Sequence, residues 1–149
     1  MKVMDIMQTN VITVQSDMEI KDIARTLFEN NISGVPVVGS TGKLVGIISE
    51  GDLLHKETSP RIPDVVGVLG ALIYYRGVKQ YESDFKKLIA LQASELMTSD
   101  VVTIQKDATI EDAAYLMINR GVKRLPVVED GKILGIVTRM DIIKTLMED

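Results

Sequence analysis

The chain states one motif twice, and that repetition limits what it can fold into more than any other feature. Residues 5–54 align with residues 95–143. Met7, Val11, Thr13, Gln15, Asp17, Ile20, Asp22 and Ala24 lie over Met97, Val101, Thr103, Gln105, Asp107, Ile110, Asp112 and Ala114. The register resumes with Pro36-Val37-Val38 over Pro126-Val127-Val128. With Thr41 read as a one-residue insertion, Gly42-Lys43 falls over Gly131-Lys132 and Gly46-Ile47 over Gly135-Ile136. The match closes with Asp52 over Asp141. Two copies of one small unit usually pack face to face about a pseudo-twofold axis, and the cleft between them is a natural ligand site.

Each copy gives the same order of elements. Val11-Ile12-Thr13-Val14 and Val101-Val102-Thr103-Ile104 are β-branched runs and predict strands. An amphipathic helix follows, with Ile20, Ile23, Ala24, Leu27 and Phe28 on one stripe and Ile110, Ala113, Ala114, Met117 and Ile118 on its counterpart. Thr109 and Asp112 have the spacing of a capping box. Val35-Pro36-Val37-Val38 and Leu125-Pro126-Val127-Val128 read as strands. Proline cannot donate to a ladder, so it is expected at the strand's start or on an edge. Asp130-Gly131 is a two-residue hairpin signal, and residues 39–42 form its longer version. Residues 44–48 and 133–137 return as strands, and helices run through Asp52 to Leu54 and Asp141 to Leu146. The fold class is therefore α/β (α+β), with two β-α-β-β-α repeats at 1–56 and 94–149.

The insert at 57–93 belongs to neither repeat. Residues 59–63 carry two prolines and read as a loop, residues 65–75 form an apolar stretch, and residues 80–92 have helical spacing. The insert is read as a partly helical linker packed on the core, as a dimer contact, or as a surface for reversible docking to a membrane or a protein partner.

Composition removes several functions. A net charge of −4 with no Lys/Arg block, and aromatics at 4%, argue against nucleic-acid binding through phosphates and stacked bases. Without cysteine there are no disulfides, thiolate metal sites or cysteine nucleophiles. His55 is the only histidine and has no partner set for a metal or a general base. No Walker loop, dinucleotide glycine fingerprint or Ser/His/Asp spacing is present, so no enzyme activity is expected. No apolar run approaches the roughly 18 residues a spanning helix needs, and a cytoplasmic location is expected.

The chemistry concentrates at Gly46-Ile47-Ile48-Ser49-Glu50-Gly51-Asp52 and Gly135-Ile136-Val137-Thr138-Arg139-Met140-Asp141. Ser49 and Thr138 fall where a strand turns into a helix, so each is an N-cap. The hydroxyl and the free N–H groups of the first turn then converge on a volume that favours an anion such as phosphate. Asp52 and Asp141 lie in the same first turn, where a carboxylate can accept two hydrogen bonds from a vicinal diol. Phosphate binder beside diol binder describes a ribonucleotide site. The same Ser/Thr-x-x-Asp spacing also describes a plain helix cap, worth about 1 kcal/mol.

With Gly, an apolar pair, Ser/Thr, two variable residues and Asp in both copies, the chain resembles the cystathionine-β-synthase (CBS) domain family, as a tandem pair or Bateman module. The resemblance implies a regulatory module that binds an adenine nucleotide, AMP or ATP, without turnover. It also implies sites drawing on both repeats, pairing into a homodimer, and an unidentified protein whose activity is regulated. No obligatory cofactor is implied. Basic residues near the motif reach the phosphates in nucleotide-binding relatives, which implies that role for Lys123, Arg124 and Arg139. The first repeat has Ser33, Gly34 and Glu50 at those positions, and Glu50 would repel a polyphosphate. At most one strong site per chain is expected, with the other weak or empty. Thr13 and Thr103 fall where relatives contact the base through backbone groups, and are otherwise ordinary strand residues. The alternative is an interaction module working through residues 61–92, with vestigial clefts.

Overall fold

The computed structural model of the protein describes residues 1–54 and 91–148. His55, the loop at 59–63, the apolar stretch 65–75 and most of the helix expected over 80–92 lie outside the described residues. Leu91 and Gln92, at the end of that stretch, are not helical. The first repeat supplies α1 (Val3–Ile6), β1 (Val14–Gln15), α2 (Ile20–Glu29), β2 (Gly34–Val38), β3 (Leu44–Ser49) and α3 (Glu50–Leu54). The second supplies α4 (Ala93–Leu96), α5 (Ile110–Arg120), β4 (Arg124–Glu129), β5 (Lys132–Thr138) and α6 (Arg139–Thr145). The expected mixed α+β order is present, and each repeat opens with an extra helical turn, α1 or α4.

Those turns do not stay with their own repeats. Of the described residues, one compact unit takes 1–12, 42–44 and 100–148, and the other takes 13–41, 45–54 and 91–99. In the first unit, Val3 N donates to the Ala108 carbonyl at 2.8 Å and Met4 N to the Lys106 carbonyl at 3.0 Å. Gln8 and Ile136 exchange both backbone bonds, each at 2.9 Å. Val3 is fully buried in one cluster with Ile104, Ala113, Met117, Leu125, Val127 and Val137. In the second unit, Ala93 N donates to the Met18 carbonyl at 2.8 Å, and Thr98 and Ile47 exchange backbone bonds at 2.9 and 3.0 Å. Ala93 and Leu96 are buried as Val3 is. Each unit is therefore completed by a segment from the opposite repeat. The hydrophobic gain of about 1.5–3 kcal/mol for burying a Val- or Leu-sized side chain holds these segments in place.

The helices follow their apolar spacing, with a narrower buried stripe than expected. Ile20, Ile23 and Leu27 are buried on α2, and Ile110, Ala113 and Met117 on α5. Ala24 is exposed, Phe28 is 87% exposed and Ile118 75% exposed, so these residues do not join the core. Thr109 and Asp112 form the expected reciprocal capping box, at 3.0 and 3.1 Å. The helix ends on Gly121 at φ +64°, and α2 is followed by Asn31 at φ +52°, the two residue types that tolerate a left-handed terminus.

The strands expected at 11–14 and 101–104 are much shorter. β1 is confined to Val14–Gln15, pairing parallel with Val37 and Val38, and its counterpart is a single parallel bridge from Ile104 to Val127. Proline gives the reason. Ile104 N donates to the Pro126 carbonyl and accepts on its own carbonyl from Val128 N, both at 3.1 Å. The next rung would need an N–H from Pro126, which has none, so the ladder stops. The expectation of a proline at a strand start or edge is corrected for Pro36, while Pro126 lies in the two-stranded β4–β5 sheet. Pro36 lies inside β2, the middle strand of the β1-β2-β3 sheet, and terminates the neighbour's pairing instead. In the other unit β4 and β5 pair antiparallel around Asp130 (φ +52°) and Gly131 (φ +81°), the positive-φ pair a tight hairpin requires.

Two glycines let the exchanged segments approach. A Cβ on Gly135 would stand 2.7 Å from the Met7 sulfur and 2.9 Å from the Gln8 carbonyl oxygen. A Cβ on Gly46 would collide with the Met97 sulfur and side-chain carbons, which are flexible. Gly135→Ala is expected to cost about 1–3 kcal/mol by urea denaturation, because a backbone atom must move. Gly46→Ala should cost less. Equal costs would show that Gln8 does not fix the chain against Gly135.

Candidate ligand-binding site

β5 runs straight into α6 and β3 into α3, and each junction folds into the same knot of hydrogen bonds. At the first, Asp141 Oδ2 accepts from Thr138 N at 2.8 Å and from Thr138 Oγ1 at 3.0 Å. Thr138 Oγ1 in turn accepts from Asp141 N at 3.2 Å. At the second, Asp52 Oδ2 accepts from Ser49 N at 2.8 Å and Ser49 Oγ at 3.2 Å, and Ser49 Oγ accepts from Asp52 N at 3.3 Å. Both are reciprocal capping boxes. They engage Oδ2 of each carboxylate and leave Oδ1 to partners from elsewhere in the chain.

Oδ1 has a partner from far along the chain. Gln8 Nε2 donates to Asp141 Oδ1 at 3.0 Å, with Oδ2 at 3.2 Å, across a sequence separation of 133. Thr98 Oγ1 donates to Asp52 Oδ1 at 3.3 Å, across 46 residues. Gln8 and Thr98 directly follow the methionines that seat against Gly135 and Gly46. Repeat comparison passes over them because the two copies differ there. The available signal was a polar, hydrogen-bonding side chain after Met7 and Met97 alike.

Two first-turn N–H groups at each helix start are engaged within the protein. Arg139 N donates to the Lys123 carbonyl at 3.1 Å and Glu50 N to the Ser33 carbonyl at 2.8 Å, while Asp141 N and Asp52 N close their own boxes. Lys123 and Arg139 are brought together by that backbone bond, and Arg139 Nε also donates to the Val122 carbonyl at 3.2 Å. None of the described residues forms an ion pair with Lys123 or Arg139. Arg124 lies opposite Thr138 in the β4–β5 ladder. Around Asp52 the corresponding charge is Glu50, so one site has a basic margin and the other an acidic one. Thr13 and Thr103 are exposed, and no hydrogen bond among the described residues ties them to either box. The described residues contain no cluster of three or more His, Asp or Glu placed to hold a metal ion. Among them no helix is long and apolar enough to cross a membrane.

With this geometry in hand, comparison with known proteins gives the class. Residues 3–58 and 93–148 each match the CBS domain, and the chain belongs to the CBS domain family. It is 36% identical over 155 residues to a functionally uncharacterised protein of Methanocaldococcus jannaschii, covering 99% of this chain and 92% of that one. Several curated relatives are longer, and the chain spans between 15% and 60% of their length. Among solved structures, the CBS-pair protein CBSX2 of Arabidopsis thaliana in complex with AMP superposes with a TM-score of 0.73 at 27% identity, covering 99% of this chain and 96% of that one. The CBS domain pair of protein MJ0100, in complex with 5′-methylthioadenosine and S-adenosyl-L-methionine, gives 0.71 at 28% identity, with coverage of 99% and 96%.

The capping role of the two boxes is measurable apart from any ligand. Thr138→Val, which keeps shape and removes the hydroxyl, should lower stability by about 1 kcal/mol in urea denaturation. Thr138→Ser should stay near wild type. A Thr138→Val protein as stable as wild type would mean that the box does not support α6.

Proposed function

We propose that this chain is a regulatory sensing module that binds an adenosine-containing small molecule, an adenine nucleotide such as AMP or ATP, without turning it over. The observation that carries this reading is the Asp141 box. It combines a carboxylate with accepting capacity left on Oδ1 with Lys123 and Arg139, which are joined by a backbone bond and form no ion pair among the described residues. A ribose diol meets the carboxylate and a phosphate meets the basic side chains, with Thr138 holding the carboxylate in position. Arg124, opposite Thr138, adds a second guanidinium near the same strand end. Membership of the CBS domain family supports the reading, as do the adenosine ligands of CBSX2 and MJ0100. Asp52, Ser49 and Thr98 form the weaker site for a phosphorylated ligand, since Glu50 stands where Arg139 stands in the other copy. Thr13 and Thr103 are assigned to the base.

Sensing requires that the ligand bind one arrangement of the protein better than another. A homodimer provides such arrangements. Supporting it, Leu54, Met140, Leu146 and Met147 are each more than 60% exposed, beyond what a lone small module usually leaves in water. The regulated protein is then a separate partner in the cytoplasm.

Asp141→Ala is expected to weaken AMP binding by at least about tenfold in calorimetry, the loss of a charge-assisted hydrogen bond or two. Asp52→Ala should change it little. Unchanged affinity in a well-folded Asp141→Ala protein would remove Asp141 from the site. Light scattering on the eluting protein should give twice the chain mass of 16.4 kDa. A monomer at tens of micromolar would contradict the dimer.

A further inference from the structure

A carboxylate offers about four accepting positions, and a vicinal diol brings two O–H donors. At Asp141 the Thr138 N–H and hydroxyl occupy Oδ2, and Gln8 Nε2 takes one position on Oδ1 while lying 3.2 Å from Oδ2. Asp141 is left able to take one further donor on Oδ1, not two. A diol that docks here therefore needs an acceptor from another residue.

The same carboxamide that occupies Asp141 supplies one. With Nε2 turned to the aspartate, Oε1 is the other end of a planar group on an exposed side chain, and no donor among the described residues reaches it. The backbone beneath is fixed by the paired bonds to Ile136 and by the close approach to Gly135. We propose that Gln8 is a specificity-determining residue of the Asp141 site. Asp141 Oδ1 accepts one ribose hydroxyl and Gln8 Oε1 accepts the other, so the pair selects an intact 2′,3′-diol. The inference rests on the adenosine reading above and names a contact that the repeated motif does not contain. In the other copy Thr98 gives its single proton to Asp52 and presents only a short hydroxyl, so diol selection is weaker there.

The test uses the full-length protein carrying Asp52→Ala, so that one site reports. Binding of AMP, 2′-deoxy-AMP and 3′-deoxy-AMP is measured by calorimetry with Gln8, Gln8→Lys and Gln8→Thr. With Gln8 present, AMP should bind about fivefold to tenfold tighter than at least one deoxynucleotide, the worth of one good hydrogen bond. Gln8→Lys keeps a donor for Asp141 Oδ1 and removes the acceptor, so AMP and that deoxynucleotide should bind within about twofold of each other and the discrimination collapses. Gln8→Thr, the residue of the other copy, should fall between. Gln8 is exposed, and a thermal midpoint close to that of the parent checks the fold of each variant. Equal weakening of all three nucleotides, or no change in any, would overturn the assignment of Gln8. If none of the three binds the parent protein, the adenosine reading fails at this site and the inference fails with it.

Discussion

Met7 lies against Gly135 and Met97 against Gly46, and through these contacts the segment opening each repeat enters the unit built largely from the other. The residue after each methionine is then held by two backbone bonds to a strand, Gln8 to Ile136 and Thr98 to Ile47. Its side chain arrives at the aspartate that ends that strand's capping box. The buried Val3, Ala93 and Leu96, the occupied aspartate oxygens and the placement of both candidate sites follow from that seating. Glycine is needed because no other residue lets two chains come so close without displacing one of them.

Duplication followed by divergence accounts for the chemistry. The scaffold is kept in both copies: capping box, left-handed helix stop, proline-limited ladder and methionine on glycine. What changes is the margin. Ser33 and Glu50 in one copy are Lys123 and Arg139 in the other, and Thr98 corresponds to Gln8. The capping boxes also alter what the helix starts can do. Asp141 N and Asp52 N are turned back into their own boxes, and Lys123 and Arg139 place positive charge beside only one of the two helix starts.

Much of this was legible before any coordinates. The Thr109–Asp112 box, the Asp130-Gly131 hairpin and the strand-to-helix position of Ser49 and Thr138 all follow from local rules, and local rules held there. The misses are long-range. Strand propensity at Val11–Thr13 was overruled because its ladder partner would have been the N–H of Pro36, a property of the neighbouring strand. Phe28 and Ile118 fit the helical stripe but face outward, since the stripe's width depends on what packs against it. Gln8 and Thr98 were invisible because their importance lies 133 and 46 residues away. Exchange of segments between repeats cannot be read from a pattern that treats each repeat as whole.

The central proposal is that the Asp141 carboxylate, held by Thr138 and Gln8, receives an adenosine ligand. An AMP titration followed by two-dimensional ¹H–¹⁵N NMR tests it most directly. The account predicts that the backbone amides of Thr138, Arg139 and Asp141 and the side-chain amide of Gln8 shift together along one saturating curve, well ahead of Ser49 and Asp52. Shifts confined to other regions of the chain, or no shifts at millimolar AMP, would contradict it.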